Sequence, residues 1–197
     1  MSLGNNIHNA FAVVAQTYEN VNKLMDYCRS AAGEKGEFVL ATPRFLRYKS
    51  DANVSGWYIS SFILLFQDVK DNSLENGWLD GPVYAFVINL FQPGVYDVPT
   101  VNIAKYEYAD IQSWSAGCSP ADHFGFYEPL YSGSLQFENK DAVYSAEVAD
   151  TEGIGKRWWG LRRITGTDIP LTDITNENAY EKIFGGFRSL SVGMSQI

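Results

Sequence analysis

The sequence predicts an α+β fold: a long N-terminal amphipathic helix packed on a twisted, mainly antiparallel sheet of about six strands, with a short C-terminal helix. In the first 30 residues, apolar side chains recur every three or four positions, as on one face of an α-helix. The remainder contains apolar segments with no helix between them, which favours antiparallel pairing over strand–helix–strand units. A chain of 197 residues that is 46% hydrophobic is long enough to bury a core, so we expect a single domain over residues 1–197.

The predicted N-terminal helix runs from about Asn5 to Ala31. Its apolar positions, spaced alternately by four and three residues, are Ile7, Phe11, Val14, Tyr18, Val21, Met25 and Cys28. The same spacing is found in the seam of a coiled-coil dimer, but Ala10 and Leu24 widen the stripe beyond such a seam. We therefore expect the stripe to be buried on the sheet of the same chain. Truncating Phe11 or Val21 to Ala in such a core would destabilise the fold by about 2–5 kcal/mol.

The strand patterns occupy six segments, and two of these are apolar on both faces, as central strands covered on both sides are. The central pair is Trp57–Val69 and Val83–Phe91. The others are Glu37–Tyr48, Val101–Tyr108, Leu135–Val148 (one strand or a hairpin) and Arg157–Ile164. A short helix is expected to begin at the N-cap Thr175, to bury Ala179, Ile183 and Phe184, and to end at Gly185-Gly186.

The charge is unevenly distributed along the chain. The formal net charge is −8, yet residues 51–155 hold fifteen acidic and only three basic side chains, whereas the flanking segments are mildly basic. This acidic middle is either a solvated surface with internal salt bridges or a face that attracts a basic partner. A nucleic-acid-binding domain is expected to be strongly basic, so the sequence argues against that function.

Composition also bears on location. No apolar run reaches the roughly 18 residues of a membrane span, and no basic segment followed by an apolar stretch marks a secretory signal. Two cysteines in 197 residues make no disulfide framework. We therefore expect a cytoplasmic protein that binds neither membrane nor nucleic acid and is a monomer or a homodimer.

Groups for catalysis or metal binding are few. The chain has two histidines and two cysteines, without CxxC or HExxH spacing, so we expect no zinc site. The glycines near residue 153 do not complete a phosphate-binding loop, and no GxGxxG motif is present, so we expect no nucleotide cofactor.

The weak catalytic candidates are Cys118 and His123, in a segment (Asp110–Ser134) whose pattern is irregular. Ser119 to Asp122 has the composition of a helix start with a capping box. A thiol just before a helix N-terminus and near a histidine could be a nucleophile. The structural alternative is that Asp122 only closes the capping box and His123 lies on the helix surface.

The binding candidates are acidic and aromatic. In the segment Asp68–Asp80, the carboxylates of Asp68, Asp71, Glu75 and Asp80 surround Trp78, a composition typical of an interface hot spot with steering charges. The alternative is a hairpin connection in which Trp78 caps the edge of the core. Trp114 is a further candidate. Trp158 and Arg162, on one face of the last predicted strand, could bind an anion or a planar ligand, unless the tryptophan is core and the arginine neutralises acids.

Three functional hypotheses follow, in order of preference. The first is a small acidic interaction protein, of adaptor, chaperone, immunity or antitoxin type, whose partner is a protein with a basic surface. The second is a half-barrel that binds a small molecule in an aromatic-lined pocket. The third is an enzyme that uses Cys118 and His123.

Overall fold

In a computed structural model, which describes residues 2–149, 153 and 157–192, seven antiparallel strands form one open sheet with helices on both faces. The strand order is β1-β2-β3-β4-β7-β6-β5. The strands are β1 Phe38–Leu40, β2 Ser61–Asp68, β3 Val83–Asn89, β4 Thr100–Tyr108, β5 Glu138–Lys140, β6 Val143–Glu147 and β7 Leu161–Pro170. The helices are α1 Leu3–Lys35, α2 His123–Tyr131 and α3 Gly186–Val192. The α+β prediction is confirmed, and the segment predicted as one strand or a hairpin is the hairpin β5–β6.

The central strands are buried on both faces, as predicted. Alternate residues of β2 point to opposite sides: Phe62, Leu64 and Phe66 enter one core cluster, and Ile63 and Leu65 enter the other. The first cluster lies between the sheet and helices α1 and α3, and we call this side the first face. The second lies under α2 and the loops around it, and we call this side the second face.

Helix α1 is confirmed, but its predicted burial is wrong for the N-terminal half. Ile7, Phe11 and Val14 are 53%, 73% and 44% exposed. The helix reaches the sheet at Tyr18, whose hydroxyl donates to the carbonyl oxygen of Ile59 at 3.0 Å. From there on the stripe is buried as predicted, at Val21, Met25 and Cys28. A helix of 33 residues spans about 50 Å, so its first half extends past the strands that cover its second half.

Two predicted strands have different bounds in the structure. The last strand begins at Leu161 rather than at Arg157, because Trp159 and Gly160 have φ angles of 57° and 82°, which interrupt an extended chain. The first is reduced to β1 and an isolated bridge between Leu46 and Ile63.

The predicted end of the C-terminal helix is also wrong. The chain does not leave the helix at Gly185-Gly186: a π-helical turn, Glu181–Gly185, continues directly into α3. A Cβ atom at Gly186 would lie 3.0 Å from a methyl carbon of Ile103 on β4. This glycine therefore allows close packing of the helix on the first face, as the missing Cβ permits.

Candidate binding cleft

The segment predicted to be irregular, residues 110–134, is mostly helical. It contains the 3-10 turns Ile111–Ser113 and Pro120–Asp122 and then α2. The predicted helix start is confirmed: Ser119 is the N-cap, and Oδ2 of Asp122 accepts a hydrogen bond from its backbone N–H at 2.6 Å. This capping box fixes the position of Asp122 and of both catalytic candidates.

The two catalytic candidates both lie in the described part of the chain, and their side chains form hydrogen bonds with different residues. The Cys118 thiol donates to Oδ2 of Asp122 at 3.5 Å. His123 is paired through Nε2 with the hydroxyl of Ser61 on β2 at 2.7 Å. Burial and then the negative charge of Asp122 raise the pKa of the Cys118 thiol well above its usual value. A nucleophilic thiol needs the opposite shift.

His123 is buried, with 4% of its surface exposed, so its placement on the helix surface is wrong. Its ring stacks on that of Tyr127, with 4.6 Å between ring centroids. Tyr131, one turn further along α2, continues this ladder and donates to the side-chain oxygen of Asn102 on β4. Burial lowers the pKa of His123 to about 4. The sequence shows that His123, Tyr127 and Tyr131 are spaced by four residues, as on one face of a helix. It does not show that polar residues at the ends of strands lie beneath this face of α2.

Thiol labelling tests the state of Cys118. We expect iodoacetamide to react with Cys118 at pH 7 more slowly than with a free thiol of ordinary pKa, because little thiolate is present. Asp122→Asn should accelerate the reaction by removing the charge that opposes ionisation, while Asp110→Asn, at a carboxylate without a hydrogen bond to this thiol, serves as the control. An apparent thiol pKa below about 7 would contradict this expectation and favour the enzyme hypothesis.

A cleft with a volume of about 560 Å³ opens between the end of β4 and the turn that precedes β7. We call it the tryptophan cleft, because two indole rings line it together with two carboxylates. The lining residues are Ala109, Asp110, Ser113, Trp114, Ser115, Gly117, Asp122, Trp159 and Gly160. Among these described residues none carries a positive charge, so the cleft combines aromatic and anionic surface.

The two indoles are held by the turn before β7. Nε1 of Trp114 donates to the carbonyl oxygen of Trp159 at 3.0 Å, and the ring centroids are 5.2 Å apart in an edge-to-face arrangement. The N–H of Ala109 donates to the carbonyl oxygen of Gly160 at 2.8 Å, beside a register shift between β4 and β7 at Glu107. A left-handed backbone conformation at a bulky residue destabilises the fold by about 1–2 kcal/mol. At Trp159, which has this conformation, the contacts just described offset that cost.

The acidic segment 68–80 forms the support of this cleft. Nδ2 of Asn76 donates to the carbonyl oxygens of Ile111 and Trp114, at 2.9 and 3.1 Å. Nε1 of Trp78 donates to the carbonyl oxygen of Ser115 at 3.2 Å. The Trp78 ring is 2% exposed and packs edge-to-face on Trp114, at 5.0 Å. Trp78 therefore caps the edge of the core, as in the hairpin alternative, and is not available to a partner.

Three of those carboxylates are close together. Burial, followed by the charges of Asp68 and Asp80, raises the pKa of Asp71. Hydrogen bonds from Asn72 lower the pKa of Asp80. Glu75 is exposed on the same segment.

Within the described residues, no group of three His, Cys, Asp or Glu side chains is arranged to hold a metal ion.

The other two predicted binding residues lie outside the cleft. Trp158 is 1% exposed, and its Nε1 donates to Oε2 of Glu128 at 3.0 Å. Glu128 also forms an ion pair with Arg157. Arg162 is exposed on β7. Trp158 is therefore a core residue, as the structural alternative for the last strand proposed.

Sequence reasoning did not select Trp159 or Asp110, which complete the cleft. Asp110 is the first residue of the segment predicted to be irregular, and Trp159 lies within the segment predicted as the last strand. The Trp-Gly pair at 159–160 was a signal for a turn, because glycine readily adopts the left-handed conformation seen at Gly160.

Comparison of the chain with known protein families, with curated proteins and with solved structures gives no match. In the part of the chain that the structure describes, no helix has both the length and the apolar character needed to cross a membrane.

Proposed function

We propose that this protein is an interaction module that binds a protein with a basic surface, and that a lysine or arginine side chain of the partner enters the tryptophan cleft. The observation that carries the proposal is the lining of the cleft: Trp114, Trp159, Asp110 and Asp122 around about 560 Å³, with no positive charge among the lining residues.

The indole rings and the carboxylates of the lining both favour a cation. An ammonium or guanidinium group near an indole ring gains about 0.5–2 kcal/mol, more when it loses water. The carboxylates of Asp110 and Asp122 use one oxygen each, toward the N–H groups of Ser113 and Ser119. Their other oxygens accept no hydrogen bond from the described residues and could accept one from a bound cation.

The acidic residues outside the cleft would act on the rate of association. Asp68, Asp71, Glu75 and Asp80 lie on the segment that supports Trp114, within the region that holds fifteen acids and three basic residues. Charges around an interface mainly increase the association rate, and salt screens them. Replacing Asp71 and Glu75 with Lys should therefore slow association and flatten its salt dependence.

A second candidate uses the same cleft. Its volume falls within the roughly 300–1,000 Å³ of small-molecule sites, so a small organic cation could be the ligand without a protein partner. The sequence analysis expected an aromatic-lined pocket in a half-barrel, whereas the sheet is open and this cleft lies at the end of β4.

Calorimetric titration of the full chain with an oligolysine peptide tests the proposal. We expect binding at low salt, weakened at least tenfold by Asp110→Asn with Asp122→Asn, which is about 1.4 kcal/mol. Asp51→Asn with Asp97→Asn, at two exposed acids outside the cleft, also removes two charges and is the matched control. A peptide with glutamine in place of lysine should not bind.

The outcomes separate the two candidates. Equal weakening by the double variant at Asp51 and Asp97 and by the double variant at Asp110 and Asp122 would show non-specific attraction and contradict the cleft. Arginine methyl ester that binds as tightly as the peptide, and with the same dependence on Asp110, would favour the small-molecule candidate. Thermal unfolding of each variant verifies that it still folds.

A further inference from the structure

The N-terminal half of α1, residues 3–17, presents a continuous apolar stripe to solvent. Leu3, Ile7, Phe11 and Val14 are 76%, 53%, 73% and 44% exposed. Ile7, Phe11 and Val14 continue the alternating spacing of the residues further along α1 that are buried on the first face, and Leu3 lies four residues before Ile7 at the edge of the same helix face. The same stripe is thus covered by the sheet in its second half and uncovered in its first, with the period of a coiled-coil seam from Ile7 onward.

This half of the helix is also free of formal charge. Residues 3–17 contain no Asp, Glu, Lys or Arg, and His8 is their only ionisable side chain. A basic partner would find no carboxylate here. Helices that lie on membrane surfaces usually carry Lys or Arg on the polar face, whereas this face carries Asn5, Asn6, Asn9 and Gln16.

We propose that a second copy of this chain covers the stripe, in an antiparallel pair of α1 helices. Two copies, each with a net charge of −8, repel one another through their acidic parts but not through this uncharged segment. The antiparallel arrangement places the two sheet domains at opposite ends of the helix pair, where repulsion is weakest. A symmetric overlap of residues 3–15 has its midpoint at Asn9, so Ile7 of one copy faces Phe11 of the other.

The available area sets the expected strength. At roughly 150–200 Å² for each large side chain, the exposed fractions of the four stripe residues correspond to on the order of 400 Å² per chain. A standard interface buries about 800 Å² per partner. The dimer should therefore be weak and depend on concentration, rather than obligate.

Sedimentation equilibrium over a range of protein concentrations tests the proposal. The average mass should rise from 22.0 kDa toward twice that value. Ile7→Glu and Phe11→Glu should each keep the protein monomeric over the range in which the wild type associates. Val13→Glu is the matched control, because Val13 is 65% exposed but lies off the stripe, and this variant should still dimerise. Circular dichroism verifies that all three variants fold.

Cysteine crosslinking tests the orientation. In a background without the two native cysteines, a mixture of Ile7→Cys and Phe11→Cys chains should form a disulfide dimer faster than either variant alone. Faster crosslinking of Ile7→Cys with itself would indicate parallel helices and overturn the arrangement. A wild type that stays monomeric at all concentrations would overturn the proposal. So would a loss of dimerisation in Val13→Glu as large as that in Ile7→Glu and Phe11→Glu. Binding of the monomer to neutral lipid vesicles through this stripe would also overturn it.

Discussion

Met25→Ala is expected to lower the free energy of unfolding by about 2–5 kcal/mol, whereas Phe11→Ala in the same helix should change it by less than about 0.5 kcal/mol. Met25 is 2% exposed and packs in the core of the first face, so its truncation leaves a cavity. Phe11 is 73% exposed and contributes little buried surface to the monomer.

Urea denaturation at low protein concentration measures both values, because dimerisation would otherwise add stability through Phe11. Val21→Ala, buried on the same side as Met25, should behave as a smaller version of Met25→Ala. Equal losses for Phe11→Ala and Met25→Ala would show that the first half of α1 packs on its own sheet after all.

Acidification is expected to remove up to about 3 kcal/mol of stability through His123 alone. Its pKa is about 4 in the folded protein, lowered by burial, against a usual value of 6.5 in the unfolded chain. Between these values the unfolded chain binds the proton and the folded protein does not. The contribution is therefore fully present above pH 6.5, falls as the pH decreases toward 4, and is constant below that.

The measurement is the pH dependence of the free energy of unfolding between pH 7 and pH 4. His123→Gln should reduce the slope by the His123 contribution. Carboxylates also titrate here: the pKa of Glu37 is lowered by Arg188, and that of Asp71 is raised by burial. The difference in slope between the wild type and His123→Gln gives the contribution of the histidine. Identical slopes would contradict a lowered pKa of His123 in the folded protein.

The parts of the fold that the sequence predicts are those set by local periodicity. The spacing in α1 predicts a helix and its apolar face, and the apolar runs of β2 and β3 predict strands covered on both sides. The capping box at Ser119 is likewise local, because all its atoms lie within four residues.

The features that the sequence did not predict depend on contacts between residues that are far apart in the chain. Periodicity shows which face of α1 is apolar, but not where the sheet beneath it ends. A glycine pair fits a helix end as well as it fits close packing on Ile103. Asp110 and Trp159 are 49 positions apart and line the same cleft because β7 pairs with β4. A local sequence pattern does not show which strands are paired.

The two outermost strands of the sheet have a consequence for assembly. Strands β1 and β5 are only three residues long, and all three residues of β5, Glu138–Lys140, are exposed and polar. Edges this short offer few unpaired backbone groups to a neighbouring strand, so edge-to-edge growth into fibres is disfavoured. The proposed pairing through α1 would join like surfaces about a two-fold axis and leave neither of them exposed. Concentrated protein should therefore stop at a closed pair instead of polymerising.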